Sequence, residues 1–436
     1  MNRSGALHDP AASSERRTFA AASVGNLLEI YDFIAYGIFA VPISRTFFAT
    51  QSEFSSLLLT FMTFAVGFAA RPFGALVLGR YADRAGRRRA LSLTLVLMAA
   101  STLVLAVCPS YASIGVAAPV IVVCGRLLQG FSAGGEIGGS VALLIENAPQ
   151  QRRGFASSFQ QMSQGGGVML AGLVGMALTH LFSDAQINAG AWRLAFVFGV
   201  LIGPVGWYVR RSIPETPAFE RASRQRAEPL VPQLVQYRWR LIGGVAIMVF
   251  WTIATYVSNY FTTYSVRELH MSLFDSYLGQ LAYGVTMVVA CPLVGLLSDR
   301  IGVRRPMLFG ALLTALGAYP MFLFLSRHPD RLSLMAVQSV IALLLACYAA
   351  CASNVLAGVF PVRFRATGVG LSYATGVTLF GGLTPLIVTT LINATGDKLV
   401  VGYYLAAAAL VSCIPVALSA RAGSNSEQPA HGALTE

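Results

Sequence analysis

The stretch GRYADRAGRRR (Gly79–Arg89) places five arginines around one aspartate, between two long apolar runs. Half a chain later GLLSDRIGVRR (Gly295–Arg305) repeats Gly, Asp, Arg, Gly and two arginines in the same order and spacing. Such a knot stands out because the chain around it is 55% apolar and 11% charged, with a mean hydropathy of +0.64. Soluble domains carry about 25% charged residues, so most of this chain is solvated by something other than water.

Working outward from the knots, apolar runs long enough to cross a bilayer fall at 19–42, 54–79, 90–108, 114–145, 154–182, 192–209, 241–264, 275–297, 307–326, 333–358, 368–392 and 401–420. Twelve spans are therefore expected. The first eighteen residues are polar and have no signal-peptide cleavage pattern, so the first span is expected to remain as an anchor. With the N-terminus inside, about 23 of the basic residues fall on cytoplasmic segments, about six outside and about two within the membrane. This bias accounts for the net charge of +12 without nucleic acid, and it puts both termini in the cytoplasm. Six cysteines (Cys108, Cys124, Cys291, Cys347, Cys351 and Cys413) all lie in apolar runs. Their spacing suits neither a metal site nor a disulfide framework.

The longest polar stretch between spans, 210–240, divides six from six. The knots lie 216 residues apart, and QRRGFASSF (Gln151–Phe159) resembles RATGVGLSY (Arg365–Tyr373) at an offset of 214. Two echoes at nearly one offset indicate an internal repeat, and six-plus-six repeats in a membrane point to secondary transporters with substrate held near the midplane. The expected fold is all-α and integral to the membrane: a cytoplasmic tail (1–18), a six-helix bundle (19–209), a cytoplasmic loop (210–240), a pseudo-symmetric second bundle (241–420) and a cytoplasmic tail (421–436). Gly79 and Gly86 permit close backbone approach and a tight turn, while Asp83 suits the positive end of a helix in the opposing half. The expected gating set is Gly79, Asp83, Arg84, Gly86 and Arg87, with Asp299 and Arg300 in the second knot and Glu146 near the cytoplasmic end of span 4.

Gly79–Arg89 resembles the signature loop of the major facilitator superfamily. GNLLEIYDFIAYG (Gly25–Gly37), ARPFG (Ala70–Gly74) and GRLLQGFSAGGEIGG (Gly125–Gly139) resemble its metabolite:proton symporter family, and the likeness runs essentially end to end. FQQMSQ (Phe159–Gln164) and FGGLTPLIVTTLINATGDK (Phe380–Lys398) are most similar to the citrate and tricarballylate proton symporters. The resemblance implies alternating-access symport of an organic anion with protons, with no cofactor and no obligate protein partner. Span 7 departs from that branch: an aromatic-Pro-Thr stretch is expected near its end, and WTIATYVSNYFTTYSV (Trp251–Val266) stands there. Another organic acid, such as a dicarboxylate or aromatic acid, or a zwitterionic osmolyte thus stays open. Osmosensing members carry a long C-terminal coiled coil, for which Arg421–Glu436 is too short. Span 5 lacks the Gly-Pro motif of antiporters.

Ionisable residues at bilayer depth are by default functional candidates, and all the clear cases lie in the first half. Glu29 and Asp32 sit near the middle of span 1 at i, i+3 with Tyr36 close by, and Arg71 on span 2 is a natural partner for one of them. Span 4 carries Arg126, Gln129 and Glu136 on one expected stripe, beside a face of Gly130, Gly134 and Gly138. Gln160, Gln161 and Gln164 follow on span 5. Tyr256, Asn259 and Tyr260 on span 7 are expected to face them from the second half. An arginine presents a charged fork matched to a carboxylate, which makes Arg126, then Arg71, the expected anion contacts, with Gln129, Gln160, Gln164 and the span 7 residues beside them. Burial favours the neutral form of a carboxyl, so Glu29, Asp32 and Glu136 are the candidate proton carriers. His180, near the outer end of span 5, has no expected role. A membrane sensor would need a signalling domain, for which head and tail are too short. No metal motif, nucleophile elbow or phosphate loop suggests an enzyme.

Overall fold

The computed structural model describes residues 10–48, 53–211 and 229–418, all helices and connections with no strand among them. The expected tail 421–436 and most of the central loop lie outside these residues. Ten helices are long and apolar enough to cross a bilayer, and an eleventh forms if Ser23–Ile38 and Ala40–Phe47, bent by 71°, count as one span. The remaining expected span coincides with the helix Arg193–Arg211.

In order, span 1 is Pro10–Ile38 with its bent continuation. Spans 2 to 6 are Glu53–Ala85, Arg87–Val107, Ala117–Asn147, Arg153–Leu181 and Arg193–Arg211. Spans 7 to 12 are Arg238–Arg267, Leu273–Ile301, Arg304–Arg327, Arg331–Val359, Arg365–Thr395 and Val400–Leu418. Span 1 starts nine residues before the expected boundary. Span 2 runs six residues past its expected end, so the knot is the end of span 2, a break at Gly86 and the first turn of span 3. Gly86, at φ 106, makes the turn into span 3, and Gly302, at φ 85, makes the matching turn into span 9; both values suit glycine alone. Among the described residues, two spans carry side-chain N-caps: Ser272 accepts from the Asp275 N–H at span 8, and Asp330 from the Ser333 N–H at span 10.

Two bundles result. Span 4 packs on spans 1, 2 and 3 in the first, and span 10 on spans 7, 8 and 9 in the second. Large apolar side chains such as Phe73, Leu316 and Leu410 are exposed on the outside, where lipid takes the place of water. The bundles meet along span 5 against spans 8 and 10, and along spans 2 and 4 against span 11. Glycines set the closeness of that junction. A Cβ on Gly138 would stand 2.2 Å from the Ala366 carbonyl oxygen, and one on Gly284 2.7 Å from the Met169 nitrogen. Span 11 is interrupted midway by a π-helical turn, Val377–Gly381. Just there it reaches span 2, where Thr378 Oγ1 donates to the Phe68 carbonyl at 2.7 Å.

Candidate functional site

The polar residues of the first bundle separate into two groups. The first group lies at the junction between bundles. Glu29 Oε1 and Arg71 Nη2 are 3.5 Å apart, and both side chains are buried. The Arg71 guanidinium also lies 4.3 Å and 4.5 Å from the ring centroids of Phe33 and Phe68, a cation–π setting that holds it in place. The second bundle closes over it. Tyr256 of span 7 packs its ring 5.3 Å from Phe68, and the Tyr373 hydroxyl of span 11 faces Arg71 while accepting from Gln164 Nε2 at 3.3 Å. Below them Ser353 Oγ of span 10 donates to Gln160 Oε1 at 3.3 Å, and Asn26 Nδ2 donates to the Gln160 carbonyl at 2.8 Å. Among the described residues, Arg71 Nε, Gln160 Nε2 and Gln164 Oε1 are buried here without a hydrogen-bond partner, as are Asp32 Oδ1, Arg126 Nε and Nη2 and Gln129 Nε2 in the second group. Buried polar atoms are nearly always satisfied, so a cluster of such atoms where two bodies meet has the character of a ligand site.

The second group looks away from the junction. Asp32 Oδ2 accepts from Thr102 Oγ1, and Glu136 Oε2 accepts from Thr94 Oγ1 at 2.7 Å. Both threonines belong to span 3, which packs against spans 1, 2, 4 and 6 of its own bundle. Arg126 donates to Gln129 Oε1 and stacks 3.4 Å above the Tyr36 ring. The contacts of Arg126, Gln129 and Glu136 named here all lie within the first bundle. At 100° per residue Glu136 lies 200° from both Gly134 and Gly138. Gly134 meets the Arg71 carbonyl, and Gly138 meets span 11. Glycine lets backbones close on one another, so this face packs on span 2 and, at Gly138, on span 11 across the junction, and the carboxylate opposite it is turned to span 3. Asp32 lies only 60° from Glu29 on span 1, yet it accepts from Thr102 of span 3 while Glu29 meets Arg71.

Tyr260 accepts from Thr389 Oγ1 at 3.0 Å, keeping its hydroxyl within the second bundle. Tyr373, which the sequence reading passed over, brings a second-bundle hydroxyl to the arginine. Its signal was available as the one large polar side chain closing the repeat element RATGVGLSY.

At the knot end of the molecule both aspartates meet helix N-termini of the opposite bundle. Asp83 accepts from the Thr367 N–H at 2.9 Å, Thr367 Oγ1 at 2.6 Å and the Ala366 N–H at 3.3 Å. Asp299 accepts from the Gly154 and Phe155 N–H groups at 2.7 Å and 2.9 Å. Gly79 allows this approach, since a Cβ there would stand 2.9 Å from Thr367 Cα. Arg87 joins Asp83 at 2.5 Å to Glu146 at 3.1 Å and donates to the Val362 carbonyl at 2.8 Å. Arg365, also missed by the sequence reading, reaches Glu146 at 3.2 Å. Arg84 and Arg300 are exposed and stay outside this latch, because each follows its aspartate by one residue and points about 100° away. Arg80 instead donates to Gln233 of the short helix Leu230–Gln236, at 3.1 Å.

Residues 18–230 match the family described as sugar (and other) transporter, and 266–435 match the Major Facilitator Superfamily. A citrate-proton symporter of Salmonella typhi is 38% identical over 419 residues, covering 95% of this chain and 96% of that one. Another of Klebsiella pneumoniae is 38% identical over 388 residues, 88% of this chain and 87% of that one. Among solved structures, the proton:xylose symporter XylE bound to 6-bromo-6-deoxy-D-glucose superposes with a TM-score of 0.77 at 17% identity, covering 92% of this chain and 95% of that one. At that identity the likeness speaks for the fold.

Proposed function

The chain belongs to the major facilitator superfamily, in the family that holds the bacterial citrate-proton symporters, and from that premise we propose that it takes up citrate together with protons across the inner membrane by alternating access. The observation that carries the reading is the Glu29–Arg71 pair, buried where the two bundles meet. Arg71 offers a substrate carboxylate a flat, permanently charged partner, already oriented by Phe33 and Phe68. Gln160, Gln164, Tyr256 and Tyr373 surround it with neutral hydrogen-bonding groups that fit the hydroxyl and remaining carboxylates of citrate. Tricarballylate, which lacks only that hydroxyl, is the nearest second substrate.

Protons enter for an energetic reason. Moving one negative charge against 100 mV costs about 2.3 kcal/mol, so a trianion entering a negative interior faces about 7 kcal/mol. Substrate binding supplies a local device for coupling. When a substrate carboxylate takes Arg71, Glu29 loses the cation beside it and becomes a carboxylate in a low-dielectric setting. Taking a proton relieves that penalty, so anion and proton are held together. Asp32 and Glu136 act one layer behind, fixing spans 1 and 4 against span 3, and Arg126 fixes span 4 against Tyr36 of span 1. In this reading Asp83 and Asp299 close the cytoplasmic end, both termini lie in the cytoplasm, and 19–209 and 241–420 are the two moving bodies.

Proteoliposomes with an imposed inward proton gradient test this directly. Labelled citrate accumulates above its external concentration, and a protonophore collapses the accumulation. Uptake that persists at full level after the gradient is dissipated overturns the proposal.

A further inference from the structure

The hydrogen-bonding groups around Arg71 are not all of one polarity. Arg71 can only donate, and its Nε is buried without a partner. Gln160 also offers a donor, because its Oε1 already accepts from Ser353 Oγ at 3.3 Å and its Nε2 is left over. Both suit carboxylate oxygens, which accept and never donate while ionised. Gln164 is the reverse. Its Nε2 is engaged by the Tyr373 hydroxyl across the junction at 3.3 Å, and its Oε1 is a buried acceptor without a partner. The side chain is 3% exposed. Its neighbours in the chain leave it little room to adjust. A Cβ on Gly165 would stand 2.4 Å from Met287 Cβ of span 8, and Ser163 Oγ accepts from Asn26 Nδ2 of span 1 at 2.7 Å. While the site opens to one side, water can serve the free oxygen. Once the bundles close over a substrate, the substrate must serve it or leave it unpaired.

An ionised tricarboxylate brings only acceptors to this site, and citrate adds one donor, its hydroxyl. We infer that Gln164 Oε1 accepts from that hydroxyl and makes the site selective for hydroxylated polycarboxylates over their hydroxyl-free counterparts. The inference rests on the central anion site of the proposed function, though not on citrate as its occupant. An acceptor buried without a donor weakens binding by about five- to 150-fold, and citrate should bind that much more tightly than tricarballylate. The experiment uses the full chain in nanodiscs. Labelled citrate and labelled tricarballylate are measured separately by equilibrium dialysis, at a pH above the last carboxyl ionisation of both. The wild type favours citrate by the stated factor. Gln164→Leu and Gln164→Met, which lack the acceptor, each bring the ratio to about one; two replacements of different shape guard against a packing fault in either. A wild type without the preference, variants that keep it, or variants that lose both acids equally overturn the inference. In each of these cases citrate binding by the wild type leaves the proposed function standing. Malate and succinate differ by the same hydroxyl and separate the two readings from the other direction. A wild type that binds neither tricarboxylate but favours malate, with the preference lost in Gln164→Leu, keeps the role of Gln164 and overturns citrate as the substrate. Binding of none of the four acids overturns both.

Discussion

Glu29 and Arg71 are held differently although they form one pair. Arg71 is fixed by two aromatic rings as well as by its carboxylate, so its charge stays where it is when a substrate arrives. Glu29 is the partner that can become neutral. Glu29→Gln keeps the shape and removes the titrating group, and Arg71 stays available to the anion. We therefore expect this variant to exchange internal for external citrate in counterflow while failing to concentrate citrate against a pH gradient. One proton fewer per cycle lowers the attainable accumulation ratio by about tenfold for each unit of pH gradient, because one pKa unit is worth about 1.36 kcal/mol. Intact accumulation with Glu29→Gln moves the proton to Asp32 or Glu136. The rule that charges at bilayer depth are functional made this group of residues legible in the sequence. The direction each one points was not, since a helical wheel gives relative angles and no absolute bearing. Glu136 shows the missing datum: the glycines opposite it mark the face that must lie against another backbone, and they turn the acid toward Thr94.

The two knots are unequal elements despite their shared sequence. Where Arg87 stands in the first, Val303 stands in the second at the same offset. Only the first therefore builds the chain Asp83–Arg87–Glu146–Arg365 across the junction; Asp299 is held by the span 5 N-terminus, with no ion pair among the described residues. A carboxylate at a helix N-terminus contributes about 0.3–2 kcal/mol, the upper end in partly buried geometry. Neutralising Asp299 should thus shift the balance between outward-facing and inward-facing states by about tenfold, at roughly 1.4 kcal/mol. Asp83→Asn also strips Arg87 of a buried partner, and it should shift the balance further. Thiol labelling of a single cysteine placed in the cytoplasmic half of the junction measures both variants, with the faster labelling expected for Asp83→Asn. A larger effect from Asp299→Asn would mean that the ion chain does not carry the closure. The aspartates and their helix partners could be inferred from the repeat. Arg365 could not, because in the sequence it reads as one more positive residue at a helix end.

On the scale of the whole molecule, glycines decide which contacts belong to a bundle and which to the junction. A Cβ on Gly130 would come within 1.7 Å of the Gly67 carbonyl oxygen, both residues being in the first bundle. On Gly138 it would meet the Ala366 carbonyl oxygen at 2.2 Å and Gly370 Cα at 3.0 Å, across the junction. Neither contact can be relieved by a side-chain rotation, because the atoms are backbone. Gly130→Val must therefore separate spans 2 and 4 within their bundle, and we expect little folded protein. Gly138→Val leaves the bundle packing alone and opposes only the approach of span 11. Overpacking of this size costs about 1–3 kcal/mol, charged here to the state closed at the cytoplasmic end and to no other. The expected Gly138→Val protein is folded, with a melting temperature in detergent near that of the wild type. It should bind citrate from the cytoplasmic side and be about five- to 150-fold poorer in the outward-facing state by the conversion of free energy to population. Cysteines on the outer half of the junction should label more slowly and those on the inner half faster. If Gly138→Val instead melts like Gly130→Val, the two halves do not move as separate bodies about this contact.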